Sequence, residues 1–170
     1  MSNFLASYKK LVSGLLARHD QQKAMSLAVG SDFEAVGKME YFILLQHGLQ
    51  KDHTVVDVGC GSGRLAIRLK DYLDGKYLGI DVVPELYEYA RKLVGRDDWD
   101  FKTAPGLTIP MRDESADFIC FFSVFTHLTH EESYKYLEDR GISIVRNVLR
   151  EEGRAVLELY RTKSGRIYNG

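Results

Sequence analysis

At 170 residues the chain is long enough for one domain with a sizeable core and hardly long enough for two. Hydrophobic residues make up 45% and charged residues 28%, an ordinary globular composition. The 23 basic and 24 acidic residues leave a net charge of -1, so there is no basic field for general attraction to nucleic acid or to an anionic membrane. No run of about 18 apolar residues occurs, so no transmembrane helix is expected. Lys9, Lys10 and Arg18, spread through the N-terminus, do not read as a secretory signal. The two cysteines, Cys60 and Cys120, argue against a disulfide framework and fit a reducing cytoplasm.

Phe4, Leu5, Tyr8, Leu11, Val12, Leu15 and Leu16 recur at helical spacing and predict a helix over about 3–20. Residues 21–30 read as a polar and small segment. Ser31-Asp32-Phe33-Glu34 fits a capping box with Ser31 as N-cap. The helix it opens runs to about His47, with Gly48 just past its end. Residues 1–50 are therefore read as a helical cap over a core at 51–170. The joint between the two helices, with Met25, Phe33 and Tyr41, is a candidate lid.

From residue 54 onward strands and helices alternate. Strand one is 54–58, followed by a helix over about 63–73 that Gly75 ends. Strand two is 76–81. Pro84 fits the first turn of the next helix, which buries Leu86, Ala90 and Leu93 and closes at Gly95. Strand three is 100–103. Strand four, 117–123, is a nearly continuous apolar run, as expected for a strand covered on both faces. A long helix over about 130–150 and strand five at 154–160 complete the pattern. Alternation of this kind implies an α/β fold with a parallel sheet and right-handed crossovers.

Strand one, Thr54-Val55-Val56-Asp57-Val58, runs into Gly59-Cys60-Gly61-Ser62-Gly63 and then into a helix. Glycines permit a tight turn and close approach of a ligand to the backbone, and the open N–H groups of a helix start suit an anionic group. Read from Gly59, Arg64 stands where a dinucleotide fingerprint has its third glycine. Read from Gly61, Ala66 takes that place, which the looser motif allows, so the glycines alone leave NAD open. No Gly-Lys-Ser/Thr follows, so there is no phosphate-binding P-loop. Ligands of open α/β sheets sit at the carboxyl ends of the strands. Asp81 ends strand two, where a carboxylate can accept hydrogen bonds from ribose hydroxyls.

The block Asp57-Val58-Gly59-Cys60-Gly61-Ser62-Gly63 resembles the first motif of class I S-adenosylmethionine (SAM) methyltransferases. Tyr77-Leu78-Gly79-Ile80-Asp81 resembles the second. Ile109-Pro110-Met111-Arg112-Asp113-Glu114-Ser115-Ala116-Asp117 resembles the proline and Asp-x-Ser turn before strand four, with Asp117 fixing the strand start. Phe121-Phe122-Ser123-Val124-Phe125-Thr126-His127-Leu128 resembles the segment after strand four in small-molecule members. The resemblance implies a Rossmann-like three-layer sandwich with a mainly parallel sheet of order 3-2-1-4-5. It also implies SAM as cofactor, with S-adenosylhomocysteine as product.

Carried over position by position, the resemblance makes Asp57, Gly59, Cys60, Gly61, Gly63, Asp81, Val82, Ala104, Pro105, Ser123 and Val124 the candidate cofactor residues. Ala104 and Pro105 stand where the family often has an Asp or Asn near adenine. The family resembled often lacks one indispensable catalytic residue, so none is assigned; His127 is a candidate base near the acceptor, alongside a structural role. His127, His130 and Glu131 lack a well-spaced further ligand, so no metal is expected.

The expected partner is a small-molecule acceptor. The family usually adds strands six and seven after strand five, and only residues 161–170 remain here. A shortened form, a natural short homologue and a partner that completes the sheet are the competing readings. An uncovered strand 154–160 would favour a homodimer through that edge. The alternative functions are a SAM-binding module without catalysis and a nucleotide-dependent oxidoreductase.

Overall fold

The computed structural model describes residues 2–30, 32–103, 109–112, 114–129, 131, 133, 134 and 137. The chain divides into two compact units, Met1–Ser133 and Tyr134–Gly170, and every element described below belongs to the first.

Helix α1 spans Ser2–Leu16 and stops short of the expected residue 20. The segment read as polar connection is a second helix, α2, over Gln21–Ala28. The Asp20 carboxylate starts it by accepting from Lys23 N at 3.0 Å, and Ala24, Met25 and Ala28 bury one face. Helix α3 spans Phe33–Gln46. Its N-cap is Asp32, whose Oδ1 accepts from Glu34 N and Ala35 N, each at 3.0 Å. This corrects the capping box: the cap lies one residue later than Ser31, which is outside the described residues, and Glu34 pairs with Arg68 instead of closing the box.

Strand β1, Val55–Val58, is buried along its whole length. It pairs in parallel with β2, Tyr77–Ile80, on one side and with β4, Phe118–Cys120, on the other. Strand β3, Asp100–Lys102, adds to β2. The sheet has order β3-β2-β1-β4 among the described residues, and the expected fifth strand at 154–160 lies outside them. Asp117 fixes the start of β4 as expected: its Oδ2 accepts from Thr54 N at 2.7 Å and its own N–H donates to Thr54 O at 2.9 Å. Of the two faces of strand β4, only one has its cover within the described residues. Cys120 points into the core, while Ile119, on the opposite face by the two-residue period of a strand, is 42% exposed. The segment expected to cover that face, 130–150, lies almost wholly outside the described residues.

The helix after β1 is shorter than expected. Only α4, Ala66–Leu69, is regular, and turns extend it on both sides through Ile67 N to Gly63 O and Leu73 N to Leu69 O. Its carbonyl end is held by Arg96, whose Nη1 donates to Lys70 O and Leu73 O, both at 3.0 Å. Helix α5, Pro84–Val94, has Pro84 in its first turn and Gly95 as a left-handed C-cap, as its sequence predicts. Its buried positions are Leu86, Ala90 and Val94, with Leu93 only half-buried.

Among the described residues two apolar clusters hold these elements. The larger gathers Leu44, Val55, Leu69, Leu73, Tyr77, Trp99 and Phe101, with Tyr77 and Trp99 stacked at 4.7 Å. The smaller joins Val12, Met25, Ala28, Val83 and Leu86. Because Val83 follows closely on β2, this second cluster brings α1 and α2 to the carboxyl ends of β1 and β2. No helix among the described residues is long and apolar enough to cross a membrane.

Candidate functional site

The turn after β1 is held by β2. Gly59 N and Cys60 N both donate to Ile80 O, at 2.7 and 3.0 Å. Gly59, Gly61 and Gly63 all have positive φ, which glycine alone adopts without strain. At Gly61 space is as decisive as backbone angle, because a Cβ there would lie 2.6 Å from Val29 Cγ1. A Cβ on Gly59 would meet Val124 Cγ2 at 2.5 Å. The turn thus lies between α2's end and the segment after β4.

Asp81 organises this turn. Its Oδ2 accepts from Gly61 N and its Oδ1 from Val83 N, each at 2.9 Å, and the residue is only 7% exposed. Burial raises its carboxyl above the usual range, and the backbone N–H groups of Val83, Gly61 and Val82 pull it back. A carboxylate offers about four acceptor positions, so two bonds leave capacity for a ligand. Val82 beside it is partly exposed.

Asp57 is enclosed beneath the turn and accepts from the Tyr77 hydroxyl at 2.7 Å. Burial pushes its carboxyl up to about 7; the Tyr77 bond opposes the rise, and the Glu40 and Asp81 carboxylates add to it. Burial also raises the Cys60 thiol well above its ordinary value, with Asp81 and Asp57 contributing, which favours the protonated form.

After β4 the chain makes a left-handed step at Ser123, with φ +60. Thr126 Oγ1 donates to Ser123 O at 2.7 Å, and a short 3-10 helix follows at Phe125–His127. His127 is exposed, and its backbone N–H donates to Val124 O at 3.0 Å. Ala104 and Pro105 lie outside the described residues. Of the residues named for the lid, Met25 reaches the turn, where its carbonyl accepts from Ser62 Oγ at 2.9 Å. Phe33 is half-buried, and Tyr41 packs edge-on to Tyr72 at 5.7 Å. Among the described residues no group of three or more His, Cys, Asp or Glu is placed to hold a metal ion.

Several residues at the turn carry no signal in the sequence taken alone. Tyr8 of α1 donates to Ala28 O at 3.1 Å. Burial lifts its hydroxyl to about 12, and Asp81 adds to the rise while Arg64 lowers it. Ser62 is fully buried. Arg64 pairs with Glu40, N···O 2.6 Å, and its Nη1 is 3.5 Å from Val29 O. Asp20 as an N-cap, followed by Ala24, Met25 and Ala28, is the one pattern that would have predicted α2.

A parallel β3-β2-β1-β4 sheet, with a glycine turn after β1 and a buried acid after β2, defines the class as a Rossmann-like α/β protein. The chain belongs to the methyltransferase domain family, whose sequence profile matches residues 55–153, and that family is one of class I SAM-dependent enzymes. A ribosomal protein L11 methyltransferase of Clostridium botulinum is 32% identical over 111 residues, which cover 63% of this chain and 35% of that protein. The chain thus spans about a third of the length of this curated relative. A SAM-dependent methyltransferase from Aquifex aeolicus shares the fold with a TM-score of 0.50 at 27% identity, over 60% of this chain and 56% of the other. The Haemonchus contortus phosphoethanolamine N-methyltransferase 1, solved with phosphoethanolamine and S-adenosylhomocysteine, matches with a TM-score of 0.59 at 20% identity. That match covers 79% of this chain and 28% of the other, and shows the fold.

Proposed function

We propose that this chain binds SAM at the 59–63 turn and transfers its methyl group to a small-molecule acceptor. The carrying observation is the Asp81 carboxylate, which gathers Gly61 N and Val83 N at the ends of β1 and β2 and keeps acceptor capacity beside an exposed Val82. In this reading Asp81 takes the ribose hydroxyls and Val82 lies against adenine. The backbone of residues 59–63 faces the methionine part, and Ser123 and Val124 form the wall toward the acceptor. Ala104 and Pro105 are proposed at the adenine end on the family resemblance alone.

The residues present fit such a ligand. The turn carries no Lys-Ser/Thr pair for a triphosphate, and its glycines leave the backbone open to close approach by a ligand. SAM supplies an activated methyl: the acceptor lone pair forms the new bond to carbon as the carbon–sulfur electrons return to sulfur. The protein's task is alignment, which is worth about 7–11 kcal/mol through effective molarity. Where the acceptor carries a proton, His127 is the candidate base, since it is exposed beside Val124.

Calorimetric titration with SAM, S-adenosylhomocysteine and NAD tests the cofactor. Binding of the first two without NAD is expected, and NAD binding without SAM overturns the reading. Turnover with methyl-labelled SAM tests the acceptor. Label in the small-molecule fraction supports the proposal, and label only in protein favours the second reading prompted by the ribosomal protein L11 relative.

A further inference from the structure

Arg64 stands immediately after the glycine turn, at the place where the turn becomes α4. Its Nε and Nη2 both donate to the same Glu40 oxygen, at 2.9 and 2.6 Å. The side chains are 11% and 3% exposed. A buried ion pair of this kind loses in desolvation much of what it gains in attraction, so stability alone is a weak account of it. Its geometry is more informative. Glu40 and Gly37 lie three residues apart on α3, hence on one face. A Cβ on Gly37 would fall 2.5 Å from the Arg64 carbonyl oxygen, so α3 lies directly on the backbone at residue 64. The third arm of the guanidinium approaches Val29 O, and Val29 is the residue that fills the space above Gly61. Residue 64 therefore ties α3 and the end of α2 to the cofactor turn at one point.

We propose that Arg64 and Glu40 are positioning residues for the cofactor turn: the pair holds residues 61–64 in the binding geometry, so that SAM does not have to order them. This rests on the reading of the turn as the SAM site. A second ion pair, Arg68 with Glu34, joins α3 to α4 just beyond residue 64. Glu34 is 65% exposed, and Arg68 is bonded to Glu34, away from residues 59–63. That pair is an internal control, able to affect the docking of α3 but not the shape of the turn.

The test is calorimetric affinity for SAM and for S-adenosylhomocysteine, together with thermal melting, on the full chain and on Arg64→Met, Arg64→Lys, Glu40→Gln and Glu34→Gln. Loss of the positioning pair leaves a turn that is competent only part of the time and weakens apparent affinity by that fraction. Arg64→Met and Glu40→Gln are expected to weaken both ligands by about tenfold and to the same degree. Arg64→Lys is expected to recover part of the loss, and Glu34→Gln to leave both affinities within twofold. Because Arg64→Lys and Glu40→Gln are close in size to the originals, they keep the test alive if Arg64→Met fails to fold. Affinities unchanged in Glu40→Gln and Arg64→Lys, with only the melting temperature lowered, would make the pair structural and overturn the proposal. A loss for SAM but not for S-adenosylhomocysteine would overturn it too, since it would mark a charge effect on the sulfonium. Absence of SAM binding to the unaltered chain would instead sink the functional reading beneath it.

Discussion

Asp81 holds the turn together and, in the proposed reading, also meets the ligand. Its oxygens are shared between Gly61 N and Val83 N, so removing the side chain frees two backbone donors and loosens the turn. Asp81→Ala is expected to weaken SAM by roughly tenfold or more, since one hydrogen bond to a charged group is worth about 1.5–3 kcal/mol; unchanged calorimetric affinity would remove it from the site. Gly61→Ala tests the turn from the backbone side. A φ of +53 costs a residue with Cβ about 1–2 kcal/mol, and Val29 must also move. Thermal melting should show the loss, and SAM affinity should fall with it. Both residues were legible in the sequence, because glycine spacing and an acid at a strand end are local patterns. Tyr8, Ser62 and Glu40 were not legible, because what places them at the turn is the docking of helices remote in sequence.

At the scale of elements, strand starts and helix ends were the readable parts. Pro84 and Gly95 bound α5 as expected, and Asp117 clamps the start of β4 to Thr54. The errors fell where apolar periodicity is weak. Helix α2 is eight residues long and buries only Ala24, Met25 and Ala28, too short a stripe to outweigh its glutamines and lysine. Such a helix depends on its cap. Asp20→Ala is expected to lower stability by about 1 kcal/mol, read in denaturant unfolding. Since Met25 O and Val29 meet the turn from this helix, fraying there should also weaken SAM binding. If the variant binds SAM as tightly as the original chain, α2 does not shape the site.

For the molecule as a whole, the buried acids set a pH dependence. The Asp57 carboxyl rises from 3.8 to about 7 on folding, so between these values the folded chain holds a proton that the unfolded chain has released. Stability therefore falls as pH rises from about 4 to about 7 and levels off above. Glu40 and Asp81 are raised as well and act in the same sense. Asp57→Asn should flatten the slope of melting temperature against pH across this window without abolishing it. A slope equal to that of the original chain would show that the Asp57 proton is not linked to folding.

Read alone, the sequence determined the alternating α/β pattern, the glycine turn and the acid at the end of strand two, because each depends on residues close along the chain. It also carried the resemblance to SAM methyltransferases, which the family match bears out. Only the tertiary structure decided which groups surround the turn. Val29, Val124, Ser62 and the Arg64–Glu40 pair meet there through packing between elements dozens of residues apart. Such contacts follow from the burial of the Val12, Met25, Val83 and Leu86 cluster and from the docking of α3. No local spacing encodes them.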